Sequence, residues 1–225
     1  MKCSYCQKEI VRNLTVKEIC FPWSIQAERC PACKNRFTLI KEPACPTCGK
    51  MGEVEMCDEC RLWQKKYPNY SFCHKALFVY DQAFKDWIHQ YKFLGDYRLA
   101  ATFTGEIQQF FAKRKDWIIT YVPLSEERYQ ERGFNQTLAF LQAAGIKNRE
   151  LLIKNKDTTA QSKKNRQERL AAPQAFIATE AAKQIKNKKV LLADDVYTTG
   201  RTLFHAAEIL LDYKPRQLAT FSLAR

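Results

Sequence analysis

The fold is decided by a stretch in which an apolar run ends in two aspartates and passes into a threonine-rich turn. It reads Val190-Leu191-Leu192-Ala193-Asp194-Asp195-Val196-Tyr197-Thr198-Thr199-Gly200-Arg201-Thr202-Leu203. Consecutive apolar residues are typical of a buried β-strand, whereas the apolar spacing from Thr202 to Leu211 is helical. The stretch therefore predicts a strand, a loop and a helix in immediate succession.

Each part of this stretch has a use in binding a phosphorylated sugar. The first turn of a helix offers unpaired N–H groups and a positive dipole end to a phosphate, and Gly200 lets the backbone approach closely. Asp194 and Asp195 can accept hydrogen bonds from the 2- and 3-hydroxyls of a ribose, or position a Mg²⁺ ion. The predicted phosphate and ribose site is Asp194, Asp195, Val196, Tyr197, Thr198, Thr199, Gly200, Arg201 and Thr202.

A plainer interpretation of these residues is a helix cap with a tight turn, since Asp and Thr are common at helix starts. A single aspartate and a single threonine would fit that interpretation, but the whole string favours a phosphate and ribose site. The string is not an ATP-type P-loop, because no Gly-Lys followed by Thr or Ser stands after a Gly-x-x-x-x spacer.

Strands and helices alternate on the N-terminal side of this stretch and continue after it. Apolar runs predict strands at 76–80, 117–122, 190–193 and 218–223, with weaker ones at 151–153 and 175–177. Helical spacing is found within 84–91, 99–111, 135–144, 180–187 and 202–211. This alternation predicts an α/β fold whose mostly parallel sheet is covered by helices on both faces. Open sheets of this kind bind ligands beyond the carboxyl ends of their strands.

The cysteines divide the chain. All ten lie before residue 74 of a 225-residue sequence. We therefore expect a small cysteine-rich domain over residues 1–70 and the α/β domain over residues 71–225, connected through residues 65–70, where Pro68 and Asn69 interrupt regular structure. No apolar run approaches the roughly 20 residues that span a bilayer. Since the N-terminus also lacks the apolar stretch of a secretory signal, the expected location is the cytoplasm.

Eight of the cysteines form four Cys-x-x-Cys pairs, and each pair can hold two sulfurs close to one metal. Zn²⁺ takes four such ligands in a tetrahedron, so the pairs predict two structural Cys₄ zinc sites with no open position for catalysis. Sequential and interleaved pairings both fit, and a redox dithiol or an iron–sulfur cluster is less consistent with four pairs. Cys20 and Cys73 are expected to be small buried residues, and His74 a linker residue. The predicted metal ligands are Cys3, Cys6, Cys30, Cys33, Cys45, Cys48, Cys57 and Cys60.

The chain is basic, with 37 Lys and Arg against 24 Asp and Glu and a formal charge of +13. Eight thiolates and two Zn²⁺ ions would lower this to about +9, and the whole correction falls on the N-terminal segment. An excess of this size favours an anionic partner such as nucleic acid, with a generally basic soluble protein as the plainer alternative. The positive surface is expected to include Lys183, Lys186, Lys188 and Lys189.

Two further segments are candidates for anion binding. Arg128 and Arg132 follow the strand that ends at Val122, and two guanidiniums in a loop there can bind a pyrophosphate; a solvated basic turn is the alternative. Residues 154–169 are rich in Lys, Arg and polar residues, which indicates a mobile loop that can follow a nucleic-acid backbone. Tyr197 and Phe134 are candidates for stacking on a base, although packing in a core is the more common role for a residue such as Phe134.

The string from Leu191 to Leu203 resembles the phosphoribosyl-pyrophosphate motif of type I phosphoribosyltransferases. Other strings, in family order, are similar to the ComF family of competence proteins. The Arg-Gly-Phe-Asn-Gln string is fairly specific, whereas the others are supportive only. The chain departs from the family at residues 171–176, where an asparagine and a glycine are expected before Phe176. The strings are the four Cys-x-x-Cys pairs, Tyr91-Lys92-Phe93-Leu94-Gly95-Asp96, Val122-Pro123-Leu124, Arg128-x-x-x-Arg132-Gly133-Phe134-Asn135-Gln136, Thr158-Thr159-Ala160-Gln161-Ser162 and Arg166-x-x-Arg169.

The resemblance implies a type I phosphoribosyltransferase-like domain preceded by a small zinc-ribbon-like domain. It also implies that Asp194 and Asp195 contact ribose hydroxyls, that Thr198 to Thr202 hold the 5-phosphate, and that phosphoribosyl pyrophosphate (PRPP) can bind with Mg²⁺. The implied role is in natural transformation and DNA uptake, with single-stranded DNA, the competence ATPase or helicase ComFA and other DNA-processing proteins as partners. The protein would be cytoplasmic and would reach the inner face of the membrane through those partners, without inserting into it. The alternative is an active Mg²⁺-dependent phosphoribosyltransferase with an unknown acceptor.

Overall fold

A computed structural model describes residues 1–22, 29–155 and 175–225. Its centre is a four-stranded sheet in the order β1-β6-β5-β2, in which every neighbouring pair is parallel. A separate antiparallel pair is formed by β3 and β4. The expected parallel α/β sheet is therefore confirmed. The strands are β1 His74–Phe78, β2 Trp117–Tyr121, β3 Leu152–Lys154, β4 Phe176–Ala178, β5 Lys189–Val196 and β6 Gln217–Ala224.

Helices cover the sheet, and side chains fix where several of them begin. Asp81, Ser125 and Asn135 each accept a hydrogen bond from the backbone N–H three residues further on, which starts the fourth, sixth and seventh helices. Two 3₁₀ helices span Tyr97–Ala101 and Glu180–Ile185. The α-helices are α1 Val16–Cys20, α2 Pro31–Lys34, α3 Asp58–Lys66, α4 Gln82–Phe93, α5 Thr104–Ala112, α6 Glu126–Arg132, α7 Gln136–Ala143 and α8 Arg201–Leu211.

The sheet separates two hydrophobic cores, and strand β5 contributes to both. Leu191 and Ala193 belong to the core that contains residues of α4, α5 and α7. Val190 and Leu192 belong to the core that contains residues of α8 together with Cys45, Cys48, Cys57 and Cys60. Successive side chains of a strand point to opposite faces, so the unbroken apolar run of β5 reflects burial on both sides. The expectation of helices on both faces is confirmed.

The structure also corrects several boundaries. Residues 128–132 were expected in a loop but lie in α6, which Gly133 ends in the left-handed conformation with φ 75°. Strand β5 runs three residues past Ala193 and includes both aspartates. The helix expected over 180–187 is a 3₁₀ helix. The two weaker strands pair with each other rather than joining the parallel sheet.

The cysteine-rich segment is joined to the sheet by backbone hydrogen bonds and by side-chain packing. The backbone of residues 38–40 bonds to the edge strand β1, with Ile40 N–H donating to the Leu77 carbonyl at 2.9 Å. Phe37 is 6% exposed and packs in the same core as Phe78 and Phe103, and Arg29 forms an ion pair with Glu106. Among the described residues, no helix is both long and apolar enough to cross a bilayer. The division at residue 70 stays a prediction.

Candidate functional site

A cavity of about 320 Å³ lies at the carboxyl ends of β2 and β5. Its wall combines the end of β5, the α6–α7 segment, the last residues of α4 and Lys154 of β3. Seven residues expected at a site line it: Arg128, Arg132, Asp194, Asp195, Val196, Thr198 and Thr202. The structure thus brings together two segments that the sequence separates by more than 60 residues.

The two aspartates leave β5 on opposite faces, as successive strand residues must. Asp195 is 8% exposed and forms an ion pair with Lys92 of α4, with 2.7 Å between Oδ1 and Nζ. Asp194 is half-buried, and its Oδ1 accepts a hydrogen bond from the Asp195 N–H at 2.9 Å. One carboxylate is therefore neutralised by a lysine, while the other faces the cavity with a single hydrogen bond from the described part of the chain.

Burial raises the pKa of Asp194 to about 7, and the neighbouring charge of Asp195 adds to the effect. Lys92 and Lys154 act in the opposite direction. A cation or a hydrogen-bond donor that bound beside this carboxyl group would favour its ionised form and lower its pKa. The cavity thus contains a carboxyl group that a ligand can ionise.

The positive side chains of the cavity are also partly removed from water. Arg132 donates from Nη1 to the Oε1 of Gln136 at 3.1 Å, and burial lowers its pKa. Its Nε is buried and has no hydrogen-bond partner among the described residues. Burial, followed by the charge of Arg128, lowers the pKa of Lys154 to about 8. An anion that entered here would meet the cationic side chains of Arg128, Arg132 and Lys154, which all line the cavity.

The turn between β5 and α8 is shaped by Tyr197 and Gly200. Tyr197 was a candidate for stacking on a base from an exposed loop, but its side chain is 1% exposed and lies in the core beside α8. Gly200 has φ 75°, and a Cβ there would collide with the Tyr197 ring. Among the described residues, no side chain caps the start of α8. The first N–H groups of α8 are therefore available to an anion between Thr198 and Thr202.

Not every predicted residue reaches the cavity. Tyr197, Thr199, Gly200 and Arg201 do not line it. Thr199 is exposed, and its carbonyl accepts a hydrogen bond from Trp63. Phe134 is half-buried and packs against Tyr91 and Tyr97, which is the core role considered for it. The predicted loop over 154–169 and the departure at 171–176 lie almost wholly outside the described residues, which resume at residue 175.

Twelve of the nineteen residues that line the cavity were absent from the predicted site, and Lys92, Asn135 and Lys154 are three of them. Lys92 stands in a string quoted for the family resemblance, yet nothing in its local sequence indicates that it meets Asp195. Asn135 combines two tasks: Oδ1 accepts from the Leu138 N–H at 3.0 Å, and Nδ2 donates to the Val122 carbonyl at 3.0 Å. Lys154 begins the segment expected to be a loop and instead ends β3. Of these three residues, only Asn135 had a signal in the sequence, because an asparagine directly before a helical run is typical of a helix cap.

The eight paired cysteines form two groups of four, Cys3, Cys6, Cys30 and Cys33, and Cys45, Cys48, Cys57 and Cys60. Within each group the sulfur atoms all lie within 4.8 Å of one another, so the sequential pairing is the one adopted. Cys6 and Cys30 have sulfurs 3.8 Å apart, and Cys48 and Cys57 have sulfurs 3.7 Å apart. Sulfurs about 2.3 Å from a tetrahedral Zn²⁺ are separated by about 3.8 Å. Both groups thus fit a zinc ion.

The two remaining cysteines and the histidine differ from expectation. Cys20 is exposed and Cys73 half-buried, so the expectation that both are buried is wrong. His74 is not a linker residue. It is fully buried in β1, where its ring nitrogens bond to Thr220 Oγ1 at 2.9 Å and Ser222 Oγ at 3.0 Å. Burial lowers its pKa well below the usual value, which keeps the ring neutral.

The fold and the strand–loop–helix site define a class of protein. Residues 141–225 match the family described as phosphoribosyl transferase domain. A hypoxanthine-guanine phosphoribosyltransferase of Bacillus anthracis is a structural neighbour with a TM-score of 0.32 and 16% identity, over 58% of this chain and 65% of that one; a similarity of that size supports no conclusion about function. The chain contains a phosphoribosyltransferase-type domain.

The particular family follows from two curated relatives. The chain is 36% identical to competence protein ComFC of Streptococcus pneumoniae over 225 residues, which is 100% of both chains. It is 28% identical to competence protein ComFC of Bacillus subtilis, over 99% of this chain and 94% of that one. The chain belongs to the ComFC family of competence proteins.

The raised pKa of Asp194 predicts that Asp194→Asn stabilises the chain at alkaline pH. Between pH values of about 4 and 7, the folded state holds a proton that the unfolded state has released, so this contribution to stability falls as pH rises. Asparagine keeps the neutral form. We expect a gain on the order of 1 kcal/mol at pH 8, or about 2–4 °C in Tm, and little gain at pH 4.

Thermal unfolding of both proteins from pH 4 to pH 8 measures this difference. Asp116→Asn is the matched control, because Asp116 is exposed and its hydrogen bond with Lys189 lowers the carboxyl pKa. That variant should gain nothing at pH 8. A constant Tm difference between Asp194→Asn and the unaltered chain across the range would show that Asp194 does not titrate as described.

Proposed function

We propose that this ComFC-family protein binds a phosphoribosyl group with Mg²⁺ and handles single-stranded DNA during natural transformation. The observation that carries the first part is the cavity that Asp194, Arg132 and the start of α8 line together. The 2- and 3-hydroxyls of the ribose would bond to the aspartates. The 5-phosphate would bond to the N–H groups and hydroxyls of residues 198–202.

The pyrophosphate of PRPP would lie toward Arg128 and Arg132. Arg132 is the stronger candidate of the two, because its guanidinium is half-buried and keeps an unused donor, whereas Arg128 is exposed. Charge-assisted hydrogen bonds of this kind contribute about 1.5–3 kcal/mol. Mg²⁺ would supply charge neutralisation between the pyrophosphate and the acidic end of β5.

Binding of PRPP is tested by calorimetry in the presence of Mg²⁺. The Asp194→Asn variant is expected to bind about 10–100-fold more weakly, which corresponds to the loss of one charge-assisted interaction. Since the same variant is expected to be more stable, weaker binding could not be attributed to unfolding. Asp116→Asn should bind as the unaltered chain does. Absence of heat with the unaltered chain would refute the site.

An active transferase is the alternative function, and one feature of the cavity favours it. Tyr80, Ile88 and Phe93 form an apolar side of the cavity next to the carboxylates, which leaves room for an acceptor. Release of pyrophosphate on addition of a panel of bases, in the same samples, would favour the transferase over the binding protein. Binding of PRPP without turnover is the result expected for the binding protein.

We propose that zinc occupies both cysteine groups. Four sulfurs at tetrahedral separations, with no oxygen ligand among the residues that the structure describes, suit Zn²⁺ as a structural ion. Cys45, Cys48, Cys57 and Cys60 are each about 2% exposed or less, so no position is open for substrate. The sites would hold the N-terminal segment in place where its apolar core is small.

Elemental analysis of the purified chain is expected to give two zinc ions. Cys57→Ser should leave one, because it removes a ligand of the second group, whereas Cys20→Ser should leave two. Retention of two ions by Cys57→Ser would contradict the assignment, and so would iron in place of zinc.

We propose that single-stranded DNA binds at the amino ends of the sheet strands, on the side of the sheet opposite the cavity. The loops before β2, β5 and β6 lie side by side; the N–H of Arg216 donates to the carbonyl of Lys188 at 2.8 Å. We call this surface the basic edge. Two acidic residues, Asp116 and Asp212, are exposed in the same loops, and Asp116 pairs with Lys189. The basic edge consists of Lys113, Lys115, Lys186, Lys188, Lys214 and Arg216.

Binding of single-stranded DNA at the basic edge should depend steeply on salt. Each lost phosphate contact lowers the slope of log affinity against log salt by about 0.7. Lys186→Ala/Lys188→Ala is therefore expected to lower the slope by about 1.4, measured by fluorescence anisotropy with a labelled oligonucleotide. The double variant Lys34→Ala/Lys41→Ala removes the same charge from the N-terminal segment and should change the slope little. Equal effects of both variants would refute the basic edge. ComFA remains a predicted partner.

A further inference from the structure

Arg225 joins three separate parts of the molecule. Its Nε donates to Cys48 Sγ at 3.2 Å, its Nη2 to Glu59 Oε2 at 2.6 Å, and its Nη1 to the Thr198 carbonyl at 3.0 Å. The side chain is 8% exposed, and its guanidinium lies 4.5 Å from the centre of the Tyr197 ring. One rigid fork of donors therefore contacts the second cysteine group and the turn between β5 and α8.

The charge of the second cysteine group gives this contact a physical reason. Four thiolates around one Zn²⁺ leave a net charge of −2, and a buried excess of this kind is costly unless a counter-charge is near. Arg225 supplies a positive charge directly to Cys48. Since a guanidinium is planar and fixes its donors relative to one another, displacement of the Cys48 sulfur would also displace the donor that holds the Thr198 carbonyl.

A second contact links the same two places. Cys57 precedes α3 and Cys60 lies within it, and Trp63 of that helix donates from Nε1 to the Thr199 carbonyl at 2.8 Å. The Trp63 ring also stacks on Phe204 of α8 at 4.2 Å. The carbonyls of two consecutive loop residues are thus held by side chains anchored at the second cysteine group.

The first cysteine group is attached elsewhere. The carbonyl of Ser4 accepts a hydrogen bond from Thr102 Oγ1 at 3.3 Å, and the Tyr5 ring packs on Phe37. Both contacts lead to the core on the other face of the sheet. The first cysteine group can therefore serve as an internal control, because it contacts the opposite core, whereas the second group contacts the turn.

We propose that Arg225 and Trp63 are positioning residues that couple metal occupancy of the second cysteine group to anion binding at residues 198–202. Metal in that group fixes the turn with its N–H groups and hydroxyls directed at the phosphate. By linkage, an anion bound at the turn strengthens retention of the metal by the same factor. The inference rests on the zinc and PRPP sites of the proposed function.

The test uses the zinc-loaded full chain in a chelator-buffered competition, with and without PRPP and excess Mg²⁺. Cysteines that lose metal are alkylated in a short pulse and identified by mass spectrometry, and PRPP binding is measured by calorimetry on the same sample. PRPP is expected to reduce alkylation of Cys45, Cys48, Cys57 and Cys60 about tenfold at a given chelator concentration, within the usual range of coupling. Alkylation of the first group should be unchanged.

Two variants separate coupling from general stability. Arg225→Met is expected to bind PRPP about tenfold more weakly and to lose the selective protection of the second group. Trp63→Phe keeps the ring stack but removes the N–H donor, so it should fold and lose part of the protection. Arg61→Met is the control: Arg61 is an exposed arginine of α3 that pairs with Glu55 and Asp58, and its variant should behave as the unaltered chain.

The outcomes separate this inference from the proposed function. Heat of PRPP binding without protection, or with equal protection of both cysteine groups, overturns the coupling and leaves the PRPP site standing. The coupling is also overturned if Trp63→Phe and a folded Arg225→Met each retain full selective protection of the second cysteine group. Absence of PRPP binding in the unaltered chain overturns both.

Discussion

The site depends on how β5 is held between its two cores. Val190 and Leu192 are buried on one side, and Leu191 and Ala193 on the other, so the strand can neither slip nor rotate without exposing one set of side chains. The next two residues, Asp194 and Asp195, are therefore held at fixed positions near the carboxyl end of the strand. That constraint directs Asp195 toward α4 and Asp194 toward β3, and it places α8 directly after the turn.

The same constraint creates an unequal pair of carboxylates. Asp195 is compensated by Lys92 at 2.7 Å, whereas the carboxyl of Asp194 is kept near neutrality by burial and by its neighbour. A site for a ribose or a metal ion contains at least one polar group that lacks a full set of partners when the ligand is absent. Such a group lowers the stability of the unliganded protein. The buried Nε of Arg132 is the cationic counterpart of Asp194.

The sequence predicted the parts of the fold whose signal is local. The apolar run of β5, the helical spacing of α4 and the four Cys-x-x-Cys pairs each lie within a short window, and each was located correctly. Helix α6 was missed because Glu126–Arg132 has no apolar stripe and is started by the Ser125 cap alone. The ion pair of Lys92 and Asp195 joins positions 103 residues apart, and only the packing of α4 against the sheet brings them together.

The second cysteine group shows why the two halves of the chain are hard to treat separately. Its sulfurs lie in the same core as Val190, Leu192 and Leu210, so it occupies space that a helix would otherwise cover on that face of the sheet. The Phe204 ring of α8 is 2% exposed and stacks between Phe72 at 4.1 Å and Trp63 at 4.2 Å. Without residues before 71, the Phe204 ring would lose its stacking contact with Trp63, and the Thr199 carbonyl would lose its hydrogen bond from the same side chain. The cysteine-rich segment is therefore better understood as part of the packing behind the turn between β5 and α8 than as an appendage.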